Sequence, residues 1–291
     1  MTITVIWDAF IDITVPMGTT NPGDTVERNL SFQCGGTANV SRGILQCGGK
    51  SIFLGKIGND PFGHYFKENL KDSNINDLVF LDTTHPTGLC ISMVYANGER
   101  TFFVNRGAND FFSLEDFKKK NTVIEKSEII YISGYSLQSE NNRNVLTNIL
   151  DICHENKQII IFNPGAPNLI NETYMAILKK YADILICNLD EGKKLSKTRS
   201  QENVIKRIKK IINFSVVTCG SGGCFCTHEG RQIHVKTNSI NILDTTGAGD
   251  AFSAAFIVGL TKGNSAEESC ELGNSFSGKW LLENNRKLSI H

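Results

Sequence analysis

The 291-residue sequence has no net charge, since 30 lysine and arginine residues balance 30 aspartate and glutamate residues. It also has no long basic block; Lys118-Lys119-Lys120 reads as a solvated helix end. Together these absences argue against nucleic acid as a partner. No run of about 18 apolar residues occurs, so no membrane-spanning helix is expected. Met1 to Ile6 carries neither a basic region nor a long apolar stretch, which predicts no secretory signal and a cytoplasmic location. The nine cysteines are odd in number and scattered, which favours reduced thiols over a disulfide framework. Cys224 and Cys226 alternate beside His228, but no second ligand pair lies near enough for a zinc site. Repeats and low-complexity linkers are absent as well. One large α/β unit with an appendage is the expectation.

Two phosphate motifs are present only in imitation. Gly18-Thr19-Thr20-Asn21-Pro22-Gly23-Asp24-Thr25 has P-loop glycine spacing, but Asp24 stands where the lysine belongs and would repel phosphate. Gln46-Cys47-Gly48-Gly49-Lys50-Ser51 ends correctly, yet Ile44 replaces the first glycine and the segment enters a strand. Gly220-Ser221-Gly222-Gly223 lacks dinucleotide spacing and opens a further strand, which disfavours a nicotinamide site.

The segments that are present alternate in a regular way. Ile3–Trp7 and Ser51–Ile57 read as buried strands, and Pro61 opens a helix at its favoured first position. Strands are expected at Ile129–Ile132, Ile159–Phe162, Ile184–Cys187 and Phe214–Thr218. Helices are expected at Asn141–Asn156, Leu169–Lys179, Asp190–Ser196 and Glu202–Ile212. This pattern argues a parallel sheet covered by helices. Two stretches break it: a loosely alternating one at Thr25–Gln33, after a turn-rich Pro16–Asp24, and a hairpin of Leu89–Tyr95 and Arg100–Val104 around Asn97-Gly98. They suggest a small separate sheet, of the kind that serves as a lid.

The segment Asp244-Thr245-Thr246-Gly247-Ala248-Gly249-Asp250-Ala251-Phe252 leads into an apolar helical run to Leu260. Glycines before a helix start leave backbone N–H groups open to an anion, and Asp250 would sit on the first turn beside it. An anion cradle next to a carboxylate is what phosphoryl transfer to a hydroxyl requires.

Four segments stand in a consistent order: Gly35-Gly36-Thr37-Ala38-Asn39, Gly55 to Gly63, Asn188-Leu189-Asp190-Glu191, and Asp244 to Asp250. In this order they resemble the ribokinase-like (PfkB) carbohydrate kinase family over nearly the whole chain. The resemblance implies a three-layer α/β sandwich with a central, mostly parallel sheet and a small β lid. The main domain would take residues 1–14, 37–87 and 106–291, and the lid residues 15–36 and 88–105. It implies an ATP- and Mg²⁺-dependent kinase of a sugar or sugar derivative, with a nucleoside kinase as the alternative, and a homodimer formed through the lid.

The resemblance also assigns residues. Asp250 would be the base, with Gly247, Ala248 and Gly249 as the anion hole. Asp12, Gly35, Gly36, Asn39 and Arg106 would contact the substrate. Asn188, Glu191, Thr218, Gly220, Gly223 and Asn274 would serve the nucleotide, with Glu191 reaching Mg²⁺ through water. Asp244 and Thr246 would hold a monovalent cation such as K⁺, although the tail Leu281–His291 departs from the family pattern. Trp7 also departs, standing where the family usually has glycine. Read without the family, Asn188-x-x-Glu191 is a capping box, Asp12 a loop acid, Gly35-Gly36 a turn and Arg106 a surface arginine.

Overall fold

The computed structural model describes residues 1–18, 30–95, 100–119, 121–165, 168, 170–238 and 245–288. Strands β1 (Thr2–Ile6), β4 (Lys50–Gly58), β5 (Asn76–Asp82), β8 (Ile129–Ser133), β9 (Ile159–Asn163), β10 (Ile184–Asn188), β11 (Phe214–Thr218), β12 (Cys224–His228) and β13 (Arg231–Val235) form one nine-stranded sheet. Its order is β13-β12-β11-β10-β9-β8-β1-β4-β5, parallel from β5 through to β11 and antiparallel across the last two pairs. Strands β2 (Ala9–Gly18), β3 (Ser31–Gly36), β6 (Gly88–Tyr95) and β7 (Arg100–Asn105) form a separate four-stranded sheet in the order β3-β2-β6-β7.

The helices are α1 (Ala38–Gln46), α2 (Pro61–Asp72), α3 (Leu114–Lys118), α4 (Asn121–Ile124), α5 (Glu140–Glu155), α6 (Glu172–Tyr181), α7 (Leu189–Ser196), α8 (Gln201–Ile211), α9 (Ala248–Thr261) and α10 (Ala266–Leu288). Alternation along the strands explains the layers, because successive side chains of a strand leave opposite faces. Ile3, Val5, Ile129 and Tyr131 pack with Val40 and Ile44 of α1 and Phe252 and Phe256 of α9. Ile6, Ile130, Ile132 and Phe162 pack on the other side with Leu146 and Ile149 of α5, Leu178 of α6 and Ile208 of α8. A sheet apolar on both faces must be covered on both, so the result is three layers.

The strongly apolar strands and the β6–β7 hairpin lie where their sequence periodicity puts them. The Asn97-Gly98 turn, the P-loop imitation after Gly18 and most of Thr25–Gln33 fall outside the described residues. The small sheet differs at its start: β2 begins at Ala9, inside the stretch 1–14 that the family pattern gives to the main domain, and it runs through Pro16. The reason is local. Trp7 and Asp8 adopt left-handed backbone angles, φ 82° and 47°, without a glycine to announce a turn. The chain therefore leaves β1 and enters the lid with only these two residues between. Strand β13 escapes a reading by apolar runs, because it is an edge strand with a polar, partly exposed sequence; β5, the other edge strand, holds the apolar run Leu78–Leu81 between polar residues. Among the described residues, no helix is long and apolar enough to cross a membrane.

Candidate active site

The strand order reverses about β1, which has β4 on one side and β8 on the other. In open α/β sheets the crevice beyond the carboxyl ends of strands at such a point is where ligands sit. The Trp7-Asp8 turn opens there. Trp7 is buried, stacks on Phe112 at 4.5 Å between ring centroids, and donates its indole N–H to the Asn109 carbonyl at 2.9 Å. Asn109 in turn exchanges hydrogen bonds of 2.8 Å with both backbone groups of Ala9, which fixes the first residue of the lid. Asp8 is buried against Arg106 at 2.9 Å, and Arg106 also bonds Asp110 at 2.7 Å. Arg106 is thus neither a surface arginine nor free to reach outward; two carboxylates and the Phe10 ring hold it.

Asp12 projects from β2 over Gly35 of the neighbouring strand. A Cβ at Gly35 would lie 1.8 Å from the Asp12 carboxylate, so only glycine permits this approach. Gly36, next along, packs on the Asp8 carbonyl. Helix α1 then begins, and its second residue, Asn39, donates to Asp250 at 3.4 Å. Arg42, three positions later on the same helical face, donates to the Asn39 amide oxygen at 2.9 Å and to Asn69 at 3.0 Å. It orients the Asn39 amide so that its N–H₂ group faces Asp250. Sequence reading passed over Arg42; its spacing from Asn39 was the available signal.

Asp250 lies on the first turn of α9. The cap of that helix is Gly247, at φ 77°, and no side chain caps the first N–H groups. Gly249 is exposed, and a Cβ there would meet nothing within 4 Å. The Ala248 carbonyl is held from α10 by the Ser277 hydroxyl at 3.1 Å. Thr246, just before the cap, accepts a hydrogen bond from Arg100 of the lid. Asp244 falls outside the described residues.

At the ends of β10 and β11, Asn188 and Thr218 are register neighbours. Asn188 and Glu191 form a reciprocal capping box, with bonds of 2.9 and 2.8 Å. That uses Oε2 of Glu191 and leaves Oε1. Gly220 adopts φ 56° with open space above it, whereas a Cβ at Gly223 would strike the Val235 carbonyl. Asn274 of α10 donates to the Val235 carbonyl at 3.1 Å, on the rim of a cleft of about 410 Å³ lined by Lys236, Asn238, Gly278 and Leu282. Trp280 lies one turn and a half further along α10, with its buried indole N–H unpartnered beside Gly247.

These positions gather negative charge. Burial, joined by the charge of Asp250, pushes Asp12 up to about 7. Burial also lifts Glu191 to about 7, against the hydrogen bond from Asn188. Asp250 rises to about 6 through burial; the Asn39 hydrogen bond opposes the rise and the Asp8 charge adds to it. A carboxylate held near neutrality beside uncapped N–H groups can accept a proton at physiological pH.

The chain is similar to known proteins over most of its length. The chain is 30% identical over 240 residues to "Probable fructokinase-5" of Arabidopsis thaliana, covering 79% of this chain and 74% of that protein. It is 27% identical to adenosine kinase of Schizosaccharomyces pombe, covering 89% and 81%. The crystal structure of adenosine kinase from Sinorhizobium meliloti superposes with a TM-score of 0.85 at 21% identity, covering 95% and 92%. The pattern of pfkB family carbohydrate kinases matches residues 2–285. The chain therefore belongs to the pfkB family of carbohydrate kinases, and is a phosphotransferase with a hydroxyl acceptor.

Proposed function

We propose that the protein transfers the γ-phosphate of ATP to a hydroxyl of a sugar or sugar derivative, with Asp250 as the base. The observation that carries this reading is the first turn of α9, where Asp250 stands beside uncapped N–H groups and open space at Gly249. Asp12 and Asn39 would grip acceptor hydroxyls, since a carboxylate and an amide match paired donors and acceptors. The acceptor oxygen would attack the γ-phosphorus, the bond to the ADP oxygen would break, and the hydroxyl proton would pass to Asp250. The N–H groups of Gly247, Ala248 and Gly249 would face the charge spreading over the phosphoryl oxygens. Arg106 would act from behind, holding Asp8 and the lid root rather than touching substrate.

The nucleotide fits the second half of the site. The cleft beside Asn274 would take the planar base, and Thr218, a register neighbour of Asn188, would serve the phosphates together with Gly220 and Gly223. The remaining oxygen of Glu191 suits a hydrated Mg²⁺, whose chemistry when bound is to neutralise phosphate charge. Arg100 takes the Thr246 hydroxyl, so a K⁺ ion at Thr246 would have to be held through another of its oxygens.

The test is ADP release with neutral sugars and nucleosides as acceptors, followed against pH. Because the base must be ionised, kcat/KM is expected to fall about tenfold per pH unit below about 6, where Asp250 titrates. An aspartate at its usual value would keep activity about two units lower. Activity flat down to pH 4.5 would show that Asp250 ionises at its usual value, and its base role would then rest on the Asp250→Asn result alone.

We further propose that the lid pairs with a second copy of the chain. Phe32, Ile13, Ile91 and Phe103 are register partners on one face of the small sheet, and Phe32 and Phe103 are half-exposed. Light scattering is expected to give twice the chain mass, and Phe103→Glu half of that. A wild-type mass of one chain would refute the pairing.

A further inference from the structure

The opposite face of the lid shows what kind of acceptor the site takes, granted that Asp250 marks the phosphoryl-transfer end. Register partners in a sheet share a face. One row therefore runs Asp12, Cys90, Val104 across β2, β6 and β7, and the next runs Thr14, Ser92, Phe102. Two contacts orient these rows. Asp12, at one end, is close enough to Asp250 for the two charges to repel. Arg100, two residues from Phe102 and on the same side of β7, donates to Thr246 just before the Gly247 cap. The even-numbered face of β7 thus looks at the start of α9.

Phe102 and Val104 are 55% and 54% exposed although they face the site. Val104 is two strand spacings from Asp12, about 10 Å. A single sugar ring gripped by Asp12 and Asn39 does not span that distance. Between them Ser92 is only 8% exposed, and its hydroxyl has no hydrogen-bond partner. A buried, unpartnered hydroxyl costs free energy until something bonds to it. The charges restrict the choice further. Arg42 is bonded to Asn39 and Asn69, Arg106 to Asp8 and Asp110, and Arg100 to Thr246, so these three cations already have partners. Asp12 and Asp250, which no arginine pairs directly among the described residues, would repel a phosphate or carboxylate placed against them.

We infer that the acceptor is a nucleoside, its sugar hydroxyls held by Asp12 and Asn39 and its uncharged base lying against Phe102 and Val104 with one polar edge toward Ser92. An aryl glycoside offers the apolar face without the polar edge, and a free sugar offers neither. A sugar phosphate adds the charge that the site disfavours.

The experiment measures kcat/KM of the full-length protein with ATP and Mg²⁺ for adenosine, inosine, uridine, 4-nitrophenyl riboside, ribose, fructose and fructose 6-phosphate. At least one nucleoside is expected to exceed every free sugar by about 10²-fold. Phe102→Ala is expected to raise KM for that nucleoside about tenfold or more, the scale of base–aromatic stacking, with kcat nearly unchanged. Ser92→Ala should raise it several-fold for the nucleoside and not for the aryl riboside. Because Phe102 is half-exposed, its truncation leaves folding intact. Equal or better turnover of a free sugar, a sugar phosphate or the aryl riboside overturns the nucleoside assignment and leaves the kinase reading standing. The nucleoside assignment is likewise overturned if Phe102→Ala weakens ribose and nucleoside alike. No ATP turnover with any acceptor refutes both readings.

Discussion

Asp250→Asn is expected to lower kcat by about 10²-fold or more while leaving KM for the acceptor within a few-fold. The substitution keeps the size of the side chain and an oxygen that can accept from Asn39, now at 3.4 Å from Asp250. What it removes is the ability to take the proton of the attacking hydroxyl. The ascending limb of the pH–rate profile near 6 should disappear with it. Stability gives an independent control. The carboxyl is raised from 3.8 to about 6, so the folded state binds more protons than the unfolded state across that window. Stability then falls as pH rises from about 4 through about 6, and above that range the ionised Asp250 opposes folding. Asp250→Asn should therefore melt no earlier than wild type at pH 8, apart from a small loss at the helix N-terminus. A large fall in kcat at unchanged melting temperature is the signature of a base. An unchanged kcat would show that the acid only caps α9.

The same residue shows what the sequence could disclose. Asp250, Gly247 and Gly249 are legible because a glycine pair, an acid and an apolar helix are contiguous, and local geometry follows from local sequence. The parallel strands are legible because burial on both faces demands unbroken apolar runs such as Ile129–Ile132. The strand Ala9–Gly18 is not, because the turn before it is built by Trp7 and Asp8 at positive φ. Nothing local requires that geometry; Asn109 and Thr37 impose it from a distance, through the Trp7 indole and the two backbone carbonyls. The partners of Arg106 were hidden for the same reason, since Asp8 lies at the far end of the lid segment in sequence. The Asn188–Glu191 box illustrates a subtler limit. It is a capping box, as its residues alone say, and its capping bonds occupy one oxygen of Glu191 while the other remains for a ligand. Structural and functional readings of that motif are compatible.

Gly249→Val and Gly247→Val are expected to part company, and the contrast tests the anion cradle. At Gly249 a Cβ meets nothing within 4 Å, and the residue has ordinary helical backbone angles on the first turn of α9. Valine has the better helix propensity by a few tenths of a kcal/mol, so Gly249→Val should melt within about 2 °C of wild type. Its isopropyl group would nevertheless fill the space above the first N–H groups, where the phosphoryl oxygens must approach. Loss of one such donor costs about 10²–10³ in kcat, and blocking the approach should cost at least that. At Gly247 the backbone is left-handed, at φ 77°, and a Cβ would lie 2.8 Å from the Trp280 indole nitrogen. A β-branched residue there carries a conformational penalty of at least about 1–2 kcal/mol, before any displacement of Trp280. Gly247→Val should therefore lose both activity and several degrees of melting temperature. Full activity in Gly249→Val would mean that the phosphate does not pass over this turn. Early melting of Gly249→Val would make that glycine structural, and the cradle would then rest on Gly247 and the uncapped N–H groups alone.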